Sequence, residues 1–102
     1  MPDAAALEAW RTGLGPCQVC PEEEGVCSGP IQPHHVTEAR TLRKHGLDDL
    51  RYDLRNRMAV CEHRHEQHTS AYKRIPRALV PKAAEEFARE LNLDYLLDRF
   101  YV

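Results

Sequence analysis

The sequence predicts a small α+β domain in which helices at both ends flank a short β-hairpin and a central helix, the whole braced by bound metal. Three observations carry that expectation. Apolar residues recur at helical spacing in the tail, as in Ala84, Phe87, Ala88 and Leu91. Short apolar runs of strand length lie in the middle: Leu50, Tyr52 and Leu54 alternate with polar residues, and Met58-Ala59-Val60 follows. Three of the four cysteines fall in a stretch so rich in Pro and Gly that packing alone will not order it.

At 102 residues there is room for one domain with one modest core, which metals or disulfides often supplement. We expect an N-terminal helix within residues 1–14, a cysteine-rich knuckle and the hairpin core within 15–72, and C-terminal helices over 73–102. Asp3 can cap the first helix, built from Ala4, Ala5, Leu7 and Ala9 and running through Trp10 and Arg11. Thr12-Gly13-Leu14-Gly15-Pro16 ends it. Next come Cys17-Gln18-Val19-Cys20-Pro21, three glutamates, Gly25, Cys27, Gly29, Pro30 and Pro33.

A second helical pattern begins at Val36-Thr37-Glu38, with Ala39 and Leu42 on one side, Arg40, Arg43 and Lys44 exposed, and Gly46 as its stop. The two strand-like runs follow, with residues 53–56 turning the chain between them. A helix from near Cys61 should pass through His68 towards Tyr72. In the tail, Pro81 suits a first helical position, Asn92 a left-handed stop, and Asp94 the cap of a last helix carrying Tyr95, Leu96, Leu97 and Phe100. This C-terminal third reads as packing material.

The formal net charge of −2 conceals an asymmetry. Between positions 40 and 82 there are eleven Lys/Arg against five Asp/Glu, a formal +6, which leaves −8 for the two ends. A basic centre suits a protein that meets phosphate over one face, although a solvated charged surface has the same composition. No apolar run approaches the roughly 18–20 residues that span a bilayer, so no membrane role is expected. Met1-Pro2-Asp3-Ala4 lacks the basic start and apolar block of a secretory signal. The expected compartment is therefore the cytoplasm, where paired cysteines more often mean metal than disulfide.

Cys17-x2-Cys20 has the spacing that lets two thiolates share one tetrahedral metal. The same spacing serves redox pairs, but no clear strand precedes it and no helix obviously follows. Cys27 and Cys61 can complete an all-thiolate structural zinc site, with His63 as the rival fourth ligand; we favour Cys27. A Cys61 thiol that merely packs is the alternative at that position. Zinc would order the Pro/Gly-rich stretch directly, because metal binding is coupled to folding.

Five of the six histidines form two groups, His34-His35 and His63, His65, His68. A lone histidine is ordinarily a surface or satisfied core residue. Two adjacent histidines on a strand, however, place their rings on opposite sides. His65 and His68 share a helix face. A strand supplying His34 and a helix supplying His65 can hold a divalent ion with open positions, as phosphodiester hydrolysis requires. His35, off the metal, suits a general base at neutral pH. Asn56 can orient that ring or tie the two strands together. A metal-storage cage is the other use of such a cluster, and no closed all-histidine set is present.

The ordered set Cys17-x2-Cys20, His34-His35-Val36, Asn56-x4-Cys61, His65-x2-His68-Thr69 resembles the HNH endonucleases, especially the compact phage and prophage type. The tail from Ile75-Pro76-Arg77 through residues 86–91 to Leu97-Asp98-Arg99 is similar to that of some phage-type members, so the resemblance spans residues 15–102. It implies a ββα-metal (His-Me finger) core and metal-dependent DNA hydrolysis leaving 5′-phosphate ends. His34 and His65 then match metal ligands, His35 the general base, and Asn56 the central asparagine. His68 matches a further ligand or a phosphate contact. The implied cofactors are a structural Zn²⁺ and a catalytic divalent cation, Mg²⁺ or Mn²⁺, with Ni²⁺ or Zn²⁺ also compatible. Arg64 stands where the family usually has its fourth zinc ligand.

DNA is the expected partner, met through Arg40, Arg43, Lys44, Arg55, Arg57, Lys73 and Arg74 in a salt-sensitive way. A monomer is favoured, in a bacterial host cell if phage-encoded. The alternatives are a non-catalytic zinc-stabilised DNA-binding module and a protein-interaction module docking through the acidic ends.

Overall fold

The computed structural model describes residues 4–102, so the expected Asp3 cap lies outside the described residues. The described residues form an α+β unit with five α-helices and one two-stranded antiparallel sheet. Helix α1 (Ala4–Arg11) leads through the cysteine-bearing segment to strand β1 (Ile31–His34). Helix α2 (Ala39–Lys44) follows, then strand β2 (Met58–Cys61), and helix α3 (Glu62–Thr69) begins where β2 stops. Helices α4 (Lys82–Glu90) and α5 (Tyr95–Phe100) close the chain. Among the described residues no helix is long and apolar enough to cross a membrane.

The sheet pairs Ile31 with Cys61, Gln32 with Val60, Pro33 with Ala59 and His34 with Met58. Strand β2 is buried at all four positions, whereas β1 is only half-buried until His34. Pro33 is tolerated because a two-stranded ribbon leaves every strand with a free edge for a residue that has no N–H. The main core gathers around β2, where Met58 and Val60 meet Val19, Val36, Ile75 and Leu97. A smaller cluster joins Leu42 of α2 to Phe87 of α4 and Leu93. The α4 stripe of Ala84, Phe87 and Ala88 is buried as its spacing predicts.

Several sequence expectations shift. The alternating Leu50, Tyr52, Leu54 segment is not a strand: residues Asp48–Leu50 form a 3-10 turn, and further turns bond Asp53 N to Leu50 O and Asn56 N to Asp53 O. Three alternating residues cannot sustain a ladder in a stretch whose aspartates favour turns, and Leu54 is exposed. The partner of β2 is therefore the more distant Ile31–His34. Helix α2 starts at Ala39, later than Val36, and Thr37 just before it is held by Asn56. Helix α3 stops at Thr69, short of Tyr72, where Ala71 turns into the left-handed region at φ 63°. Asn92 does adopt a left-handed φ of 59°, but Asp94 makes no capping bond with its side chain. Pro81 immediately precedes α4 instead of opening it.

Asn56 ties the loops around the sheet together. It is wholly buried; its Oδ1 accepts from Thr37 N at 2.7 Å and its Nδ2 donates to Thr37 O at 3.0 Å. Its own carbonyl accepts from the Trp10 indole N–H at 3.0 Å, which fastens α1 to the same point. Asn56→Ala would leave a buried N–H and C=O unpaired, each worth about 1–3 kcal/mol. We expect it to lower unfolding stability by roughly 2–4 kcal/mol in a denaturant titration. A loss under about 0.5 kcal/mol, the level of an ordinary surface change, would show that water replaces both bonds.

Candidate metal centre and histidine cleft

Cys17 and Cys20 lie on either side of buried Val19, with a tight 3-10 turn over Cys20–Glu22. The register of β2 carries Cys61 to the same place, with its Sγ 3.5 Å from that of Cys20. Cys27 completes the group. The four thiols lie within 4.8 Å of one another, a cluster that can hold a metal such as zinc. Backbone N–H groups of Cys20 and Cys61 point at Cys17 Sγ from 3.5 and 3.4 Å. Burial would raise the Cys17 thiol, but backbone N–H groups of Cys20, Cys61 and Val19 outweigh it and bring its pKa to about 7. Burial and the neighbouring thiols push Cys20 the other way. So crowded a set ionises together only around a cation.

His63, the rival fourth ligand, stands outside the cluster, its backbone N–H bonded to Ser28 O at 3.1 Å. Arg64 has a different task. It is buried and donates to Glu23 through Nε at 2.7 Å, to the Arg74 carbonyl at 2.9 Å and to the Lys73 carbonyl. A guanidinium thus ties the cysteine loop to α3 and to the segment after it, with its charge compensated by a carboxylate and carbonyls.

Four of the grouped histidines, His34, His35, His65 and His68, line an open cleft of about 410 Å³ together with Arg74 and Tyr101 among others. His34, at the end of β1, and His65, on α3, have ring centres 5.1 Å apart; His68 is 5.0 Å from His34. Burial lowers the pKa of all three below the usual histidine value, His68 to about 4. The rings are therefore neutral at physiological pH, the form that ligates metal.

His35 also borders the cleft, with its ring packed against α1. It stacks on Trp10 at 4.0 Å between ring centres, with Tyr52 at 6.0 Å. Burial lowers its pKa to about 4, opposed by a hydrogen bond to the backbone of Arg51. Its Nε2 is buried and has no hydrogen-bond partner. Asn56 spends its side-chain hydrogen bonds on Thr37, two residues on from His35.

The expected basic residues divide. Arg40, Arg43 and Lys44 are exposed on α2, and Lys73 is exposed after α3. Arg74 lies over the Phe100 ring and donates to His68 O at 3.0 Å. Arg55 and Arg57 are committed internally. Arg55 pairs with Asp53 and Glu90, while Arg57 donates to the carbonyls of Ala9, Trp10 and Thr12 at the end of α1. Both arginines therefore already hold protein partners, Arg57 through one terminal nitrogen and Arg55 through carboxylates.

Sequence reasoning did not single out Gln32, Trp10 or Tyr101. Gln32 Oε1 is 2.8 Å from His65 Nδ1, and Tyr101 Oη is 2.7 Å from His34 Nε2. Nothing local marks Tyr101, because its partner lies 67 positions away. Compared with family models, curated proteins and solved structures, the chain matches none.

Elemental analysis should find one zinc per chain, lost together with near-UV dichroism when a strong chelator is added. Cys27→Ser should weaken zinc retention at least about tenfold, whereas His63→Ala should retain zinc like the wild type. The reverse ranking would make His63 the fourth ligand.

Proposed function

We propose that the chain is a metal-dependent endonuclease of the HNH type, with β1, β2 and α3 forming its ββα-metal core and the four-cysteine cluster its structural zinc site. The observation that carries this reading is the convergence, in one open cleft, of His34 and His65 with an adjacent His35 whose Nε2 is unpartnered. The ordered motif supports it.

His34 and His65 would hold a divalent cation, which when bound neutralises the scissile phosphate and stabilises the departing 3′ oxygen. His35 Nε2 is the base: as water attacks phosphorus and the P–O3′ bond breaks, it takes the water proton, and the leaving oxygen is reprotonated from solvent. A 5′-phosphate end results. Trp10 behind the ring keeps it neutral and oriented. Arg40, Arg43, Lys44, Lys73 and Arg74 supply phosphate contacts, so binding weakens as salt rises.

Supercoiled-plasmid nicking in Mg²⁺ or Mn²⁺, lost in His35→Ala with zinc content intact, is the expected result; general-base removal costs about 10²–10⁴-fold. No nicking by the wild type in any divalent metal, with salt-sensitive DNA binding preserved, would leave a non-catalytic DNA-binding module. The pH profile offers a separate check. A base with its folded pKa lowered works above that pKa and fails as pH falls through it. At saturating metal, activity should hold through pH 6.5 and decline only towards about 4. A half-loss at 6.5 would mean that His35 is not held in its buried, stacked state.

A further inference from the structure

Of the four histidines that line the cleft, His34, His65 and His68 make hydrogen bonds that leave different nitrogens available. Tyr101 Oη donates to Val36 O at 2.9 Å, and a phenol has one proton to give. Its 2.7 Å contact with His34 Nε2 is then a bond from Nε2–H to the phenol oxygen, which leaves the lone pair of His34 on Nδ1. Gln32 directs its amide N–H₂ at Glu62 Oε2 at 3.4 Å, so its carbonyl oxygen faces His65 and accepts from Nδ1–H at 2.8 Å. The lone pair of His65 is therefore on Nε2. His68 is the inverse case. The backbone N–H of Ile75 donates to its Nδ1 at 2.8 Å, so the free nitrogen, Nε2, carries the hydrogen.

We propose that this proton placement sorts the cluster into two metal ligands, His34 Nδ1 and His65 Nε2, and one phosphate donor, His68 Nε2–H, with Tyr101 and Gln32 as the positioning residues that set the ligand tautomers. The inference rests on the reading of His34 and His65 as metal ligands. Two further observations support it. Among the described residues, no three histidine nitrogens fall within 4.8 Å of one another, so the cluster is not built as a three-imidazole cage. Tyr101 is itself locked: it is buried, stacked on His68 at 4.9 Å, and held by the bond from Val102 N to Ile75 O beside it. Ligand histidines are commonly oriented through the nitrogen that does not bind metal, and such partners govern both tautomer and basicity. The chain end thus reaches back to set a ligand on β1.

Two measurements decide it. Long-range ¹H–¹⁵N spectra of zinc-loaded protein without a second metal should show the Nε2–H tautomer for His34, Nδ1–H for His65 and Nε2–H for His68. A different tautomer at any of the three overturns the assignment, whatever the protein's activity. Mn²⁺ binding, followed by calorimetry or electron paramagnetic resonance, should weaken about 10–100-fold in Tyr101→Phe and in Gln32→Leu, with zinc content unchanged. His68→Ala should bind Mn²⁺ like the wild type while its DNA cleavage falls; His65→Ala should lose Mn²⁺. Wild-type Mn²⁺ affinity in Tyr101→Phe, or loss of Mn²⁺ in His68→Ala, overturns the sorting while leaving the nuclease reading in place. A wild type that neither binds Mn²⁺ nor cuts DNA overturns both. Were Tyr101→Phe to misfold, the tautomers of the wild type would still decide.

Discussion

Four rungs of antiparallel backbone, from Ile31↔Cys61 to His34↔Met58, position nearly every group of chemical interest in this chain. At one end the ladder delivers Cys61 to the thiols of Cys17, Cys20 and Cys27, and β2 runs straight into α3. At the other it sets His34 at the cleft edge, facing the helix that carries His65 and His68. A two-stranded ribbon is marginal by itself. This one persists because β2 is buried along its whole length and both ends are secured by other means.

Those means differ in kind. At the thiol end a four-thiol cluster that can hold a metal and a buried Arg64–Glu23 pair anchor the cysteine loop. At the histidine end the side-chain amide of Asn56 bonds the backbone of Thr37 twice, and its main-chain carbonyl accepts a third bond from Trp10. The arrangement accounts for the peripheral elements as well. Helix α1 lays Trp10 against His35, and the chain end lays Tyr101 against His34 and His68. The C-terminal segment, which looks like packing by composition, supplies Phe100 and Tyr101 to the walls of the cleft, while Trp10 of α1 stacks on His35. Burial by these walls keeps the imidazoles neutral, so the packing and the proposed chemistry depend on the same contacts.

Electrostatics refine the picture of the surface. A formal +6 in the middle of the chain invites a wide phosphate-binding face. Two of its arginines already hold protein partners, Arg57 at the end of α1 and Arg55 bridging to α4, and Arg64 is buried altogether. What remains outward, on α2 and after α3, is narrower than the composition suggests.

The sequence by itself determined the elements whose causes are local. The helical stripe of α4, the break after α1, the strand at Met58-Ala59-Val60, the left-handed Asn92 and the candidate ligand types all follow from spacing and side-chain chemistry. The cysteine grouping was legible too, because four thiols in a metal-poor alternative would have had little reason to share one small domain. Only the tertiary structure decided which strand pairs with β2, since a three-residue alternation at 50–54 resembles a strand until the turns around Asp48 and Asp53 claim its backbone. It alone showed that Cys27 and not His63 joins the cluster, that Arg64 is a brace, and that Gln32, Trp10 and Tyr101 contact the histidine rings. The reason is physical: a ring's tautomer and a guanidinium's partner are fixed by groups tens of residues away, and no periodicity records a contact made only once.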